Sequence, residues 1–143
     1  MKIGKFFTLL FAGMISLSAA QLYSKEMEPN PEATEEVRVA AASEKLNKEA
    51  DTVVIYAKGL CCPSCSIGVR KMVSRLDFVD RKRFNKGVDL DTKAQLITVA
   101  IAEAKSPNFK SLTEAILDAG YDPVRSYNLK DGLLLKEPLA ADN

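Results

Sequence analysis

Three cysteines stand within five residues, Cys61-Cys62-Pro63-Ser64-Cys65, and they are the only cysteines of a chain that has no histidine. Two sulfurs spaced Cys-x-x-Cys at the start of a helix lie near the positive end of its dipole, where thiolates are stabilised and thiol pKa values fall. Such sulfurs are ligands for soft ions. A closed zinc site takes four Cys or His ligands, which argues against structural zinc within one chain. Two thiolates without hard neighbours favour copper(I), and mercury(II), silver(I) and cadmium(II) follow the same logic. Cys61 brings a third sulfur close enough for a three-coordinate site; the alternative is an exposed thiol with no role. A structural disulfide between Cys62 and Cys65 closes too short a loop to restrict the unfolded chain much. A redox dithiol uses the same spacing at a helix start. No acid-base or nucleophile constellation accompanies the thiols, and the commonest general base is absent, so a binding protein is expected and not an enzyme.

The elements that must position this loop follow from periodicity. Val53-Val54-Ile55-Tyr56-Ala57 is a β-branched and aromatic run that predicts a strand ended by Gly59. Val69, Met72, Val73 and Leu76 recur at helical spacing after the cysteines. Val88 and Leu90, a turn at Asp91-Thr92-Lys93, and Leu96 to Ile101 predict a hairpin. Ser106-Pro107-Asn108 supplies N-cap chemistry for a helix carrying Leu112, Ala115, Ile116 and Ala119 and stopped by Gly120. Residues 121–127 predict a last strand, placed at a sheet edge because Pro123 lacks a backbone donor. The order β-α-β-β-α-β is the split arrangement of an α+β, ferredoxin-like sandwich: a four-stranded antiparallel sheet with two helices on one face. That order, and the absence of tryptophan beside the cysteines, weigh against the redox reading.

Outside these elements, residues 1–20 have two lysines, an apolar run from Phe6 to Leu17 and a small-residue stretch, the pattern of a signal peptide cut after Ala20. The run falls short of the roughly 20 residues that span a bilayer. Export to the periplasm or a similar compartment follows. Residues 21–51 hold eight acids against four bases and few large apolar side chains, which predicts a flexible acidic linker with at most a transient helix from about Glu35 to Ala50. Residues 52–128 hold twelve bases against eight acids. The basic run Arg81, Lys82, Arg83 and Lys86 is a solvated face or a steering patch for an acidic partner. Export and near-neutral charge disfavour nucleic acid as a partner. In the tail, residues 129–143, Asp131-Gly132 followed by Leu133-Leu134-Leu135 predicts either a turn with a short added strand or a docked tail.

Gly59-Leu60-Cys61-Cys62-Pro63-Ser64-Cys65 resembles the Gly-Met-x-Cys-x-x-Cys motif of the heavy-metal-associated domain family, which includes copper chaperones and a periplasmic mercury-binding protein. The resemblance continues through Val69, Val73, Leu76-Asp77, Val79, Ala115-Ile116, Asp118 and Gly120-Tyr121-Asp122, and so covers residues 52–128. It implies that Cys62 and Cys65 are the metal ligands. It also implies that Leu60 replaces a methionine packed under the metal loop, and that Tyr121 matches an aromatic near that loop; a plain core or edge-strand tyrosine is the alternative. The function implied is an exported metallochaperone or scavenger. It would hold one copper(I), or mercury(II), and pass it by thiolate exchange to a metal-transporting membrane protein or another metal-binding protein, acting as a monomer in transient contact. The residues 81–86 make the segment between helix and second strand longer than is usual in the family.

Overall fold

The structure, a computed structural model, describes residues 32–139, and Cys65 by its backbone alone. The expected signal peptide with its cut after Ala20, residues 21–31 of the expected linker, and 140–143 of the tail lie outside the described residues. Eight elements follow in order: α1 (Glu35–Lys48), β1 (Thr52–Lys58), α2 (Cys65–Val73), β2 (Val88–Asp91), β3 (Leu96–Ala100), α3 (Phe109–Asp118), β4 (Asp122–Lys130) and β5 (Leu133–Pro138). The protein is α+β, with one five-stranded sheet of order β2-β3-β1-β4-β5. Every neighbouring pair is antiparallel.

The central strands set the register, Val53 facing Val99 and Ile55 facing Ile97. Their side chains on one face join Val69 and Val73 of α2 and Leu112, Ala115 and Ile116 of α3 in one apolar cluster. Asn108 caps α3 by accepting from the Ser111 backbone N–H at 3.1 Å. These parts agree with the periodicities in the sequence.

Three expectations are corrected. First, the sheet has five strands and not four: Asp131 and Gly132 take positive φ in the turn and β5 pairs along β4 from Lys130↔Leu133 to Arg125↔Pro138. β4 is therefore internal. Pro123 is tolerated because the β5 ladder stops at Arg125 and the β1 register shifts between Tyr56 and Ala57, so neither neighbour needs a donor there.

Second, residues 35–48 of the expected flexible linker form a packed helix. Thr34 accepts from the Val37 N–H, Glu35 and Glu36 occupy the first turn and Lys45 and Lys48 the last, each matching the helix dipole. Ala42 and Leu46 are buried against Val54, Tyr56, Leu96 and Tyr127 on the sheet face opposite α2 and α3. Helices thus cover both faces of the sheet, and β1 and β3 are buried on both sides. Ion pairs surround this small apolar contact: Lys45–Asp89 at 2.5 Å, Arg125–Glu35 at 2.8 Å and Arg83–Glu49 at 3.1 Å. Arg38 stacks 3.9 Å from the centre of the Tyr56 ring, a contact worth about 0.5–2 kcal/mol.

Third, Arg81, Lys82 and Lys86 of the basic run are exposed, as a solvated face requires, but Arg83 is partly buried and takes a structural role. It binds Glu49 and donates to the Ala50 carbonyl at 2.8 Å, holding the C-terminal end of α1. Gly87 lets this segment close. Its φ is +85°, and a Cβ there would stand 2.3 Å from a Val79 methyl and 2.9 Å from the Asp80 carbonyl.

β1 runs toward the cysteines, and both described ends of the chain return there. Glu32 accepts from the Tyr56 hydroxyl at 2.7 Å, and Leu139 donates to the Val124 carbonyl near the start of β4.

Candidate functional site

The cysteine loop is hung between two anchors. On the strand side, Gly59 turns the chain at φ +83°, where a side chain would be strained, and Leu60 drops into the core with no exposed surface. Burying a leucine side chain contributes about 1.5–3 kcal/mol, so Leu60 fixes the root of the loop. On the helix side, α2 begins at Cys65 and carries Val69 and Val73 into the same core. Cys61 and Cys62 fall between these anchors, Cys61 exposed and Cys62 half-buried.

Cys62 is disulfide-bonded, whereas Cys61 is a free thiol. The sequence predicted two free thiolates in the Cys-x-x-Cys pair, so Cys62 is seen in another redox state. A disulfide sulfur has no proton, and it is Ser64 whose hydroxyl donates to Cys62 Sγ, at 3.1 Å. Ser64 occupies the N-cap position of α2 with helical φ and ψ and makes no side-chain cap bond.

The first turn of α2 is closed by Ser66. Its backbone N–H donates to the Pro63 carbonyl at 3.2 Å, and its hydroxyl donates to the same oxygen. Arg70 then donates from Nη1 to Ser66 Oγ at 2.8 Å, and from Nε toward the Val88 carbonyl of β2 at 3.4 Å. Ser66 is buried.

Tyr121 lies across the loop, and its ring carbon Cδ1 is 3.6 Å from where a Cβ on Gly59 would be. Burial first, and then the nearby Cys61 sulfur, push the Tyr121 phenol above its ordinary value. Leu60, Cys61, Cys62 and Tyr121 thus meet at one end of the sheet, joined by the backbone of Cys65. Sequence reasoning did not single out Ser64, Ser66 or Arg70. Ser66 and Arg70 did leave a signal: an i, i+4 polar pair on the inner side of a helix whose Val69 and Val73 face the core.

Among the described residues no three His, Cys, Asp or Glu side chains gather into a metal-binding group. A depression of about 320 Å³ lies at the opposite end of β1, lined by Asp51, Thr52, Ile101, Glu103, Lys105 and Asn128 among others. Seven strand residues, roughly 20 Å, separate it from the cysteines, so it has no part in their chemistry. Among the described residues no helix is long and apolar enough to cross a membrane. No family model, curated protein or solved structure matches the chain.

Proposed function

We propose that the reduced protein binds one soft metal ion, copper(I) before mercury(II), between the thiolates of Cys62 and Cys65, and hands it on by ligand exchange. The observation that carries this reading is the loop itself: a half-buried Cys62 and the Cys65 backbone sit at the start of α2, on a turn rooted by the fully buried Leu60. The likeness to heavy-metal-associated domains adds support. With α1 and β5 set aside, the order β1-α2-β2-β3-α3-β4 and the strand order β2-β3-β1-β4 fit a ferredoxin-like sandwich with two additions.

Metal binding requires the Cys62 disulfide to open. Two thiols of an external dithiol give up two electrons and two protons and become a disulfide, while Cys62 and its bonded cysteine become thiols. Both thiol protons leave as the ion binds. A two-coordinate ion then keeps an open position, so a thiolate of the acceptor can join it before either ligand leaves. Cys61 is the third sulfur within reach of such an intermediate. The partner is a metal-transporting membrane protein or another metal-binding protein, met transiently by a monomer in an exported compartment. The protein is not an enzyme in this reading.

The test is titration of the reduced protein with copper(I) against a chromophoric chelator. One equivalent is expected to bind, Cys62→Ala or Cys65→Ala to abolish binding, and Cys61→Ala to weaken it. Full affinity in the Cys62→Ala, Cys65→Ala double variant would refute the assignment. The disulfide on Cys62 beside the free Cys61 favours a second reading, thiol-disulfide exchange. Insulin reduction at the rate of known oxidoreductases would support it.

A further inference from the structure

We propose that Ser66 and Arg70 are positioning residues for the cysteine loop, acting as a polar relay that holds the Cys62-Pro63-Ser64-Cys65 turn in its chelating shape. The inference deepens the soft-metal reading and rests on it, but it makes a claim about thiol chemistry that can be tested without metal.

The Pro63 carbonyl lies inside the Cys-x-x-Cys loop, and it accepts from both the backbone N–H and the hydroxyl of Ser66. The Ser66 oxygen, having donated its only proton, accepts from Arg70 Nη1 at 2.8 Å. Arg70 is one helical turn further on, and its Nε reaches the Val88 carbonyl of β2. The loop is therefore tied through two side chains to a strand of the sheet. This is a large outlay of polar groups for a turn that lacks a side-chain cap of its own, since the Ser64 hydroxyl is directed to Cys62 Sγ. Ser66 is 7% exposed, so water is a poor substitute for its partners.

The physical consequence is preorganisation. Two sulfurs on a fixed turn present a higher effective concentration to each other, and to an ion between them, than two sulfurs on a loose one. One such bond sets a scale of about three- to tenfold in an equilibrium constant.

Ser66→Ala and Arg70→Met remove the relay while keeping most of the packing volume, and Ser66→Thr keeps the hydroxyl. Two equilibria are measured on the full chain. One is the copper(I) dissociation constant of the reduced protein against a chelator, and the other is the disulfide equilibrium of Cys62 with dithiothreitol. Ser66→Ala and Arg70→Met are expected to weaken copper(I) binding three- to tenfold and to make the disulfide at least threefold easier to reduce. Ser66→Thr is expected to stay within twofold of the parent in both. A residue that only stabilised the fold would move the melting temperature and leave both equilibria in place. Both equilibria within twofold of the parent in Ser66→Ala and Arg70→Met would overturn the proposal. If the reduced parent binds no copper(I), the metal reading fails, and the dithiothreitol equilibrium alone decides the relay.

Discussion

Ser64 stands where a helix cap belongs, yet its hydroxyl serves a sulfur. An uncapped helix start costs about 0.5–2 kcal/mol, and here the polar group is turned to the group that carries chemistry. The residues that hold the loop by packing were legible in the sequence. Leu60 follows a strand and precedes the motif, and its side chain is fully buried. The residues that hold it by hydrogen bonds were not, because serine and arginine on a helix look the same whether they face solvent or tie down a turn. Tyr127 is the converse case, a polar tip in the core with little chemistry to do. Its side chain is wholly buried and its hydroxyl has no hydrogen-bond partner among the described residues. An unmet hydroxyl carries a desolvation cost of about 1–3 kcal/mol. Tyr127→Phe is therefore expected to leave stability unchanged or raise it by up to about 1 kcal/mol, measured by urea unfolding; a loss above that size would show that the hydroxyl is satisfied.

At the scale of elements, the packing of α1 is what the sequence did not reveal, since it predicted at most a transient helix there, and the cause is physical. Its buried patch is small, Ala42 and Leu46 with Val39 and Ala41 at its margin, so composition alone resembles a solvated segment. The signal lay elsewhere. Val53 to Ala57 is an unbroken apolar run, and a strand open to water on one face should alternate; Val54 and Tyr56 needed a cover. Because polar contacts within α1 and from it to the sheet hold so much of this helix, its stability should depend on pH at both ends. A backbone hydrogen bond at Glu36 and a hydrogen bond from Lys48 at Glu44 hold these carboxyls below 4.5. Their contribution is present above that value and is lost as pH falls through the lowered folded values. The Asp89 hydrogen bond raises Lys45 above 10.5, and burial followed by the Glu32 hydrogen bond pushes Tyr56 up to about 12. Their contributions are complete below the unfolded values and are lost as pH rises through the raised ones. Helical signal by circular dichroism is therefore expected to be flat between about pH 5 and 10 and to fall on both sides, before the sheet melts. A helix that persists unchanged to pH 3 would contradict this.

For the molecule as a whole, the two departures from the expected four-stranded sandwich support each other. The basic segment before β2 grips the end of α1 through Arg83, and Glu35 at the start of α1 binds Arg125 of β4 and Lys136 of β5. Such long-range pairings have no local sequence signature, which is why Arg83 reads in the sequence as part of a solvated or steering patch. A chain beginning at Asp51 would keep the cysteine loop but bare Val54, Tyr56, Leu96 and Tyr127 to water. That truncation is expected to melt lower and to self-associate in sedimentation; a monomer with the parent's melting temperature would show that α1 is dispensable.

Because Glu32 and Leu139 both lie at the end of the sheet that carries the cysteines, a bulky label placed on either residue would stand at the reactive end. The Asp131-Gly132 hairpin turn, at the opposite pole, is the place to attach a fluorophore or a surface tether so that the reactive end points outward.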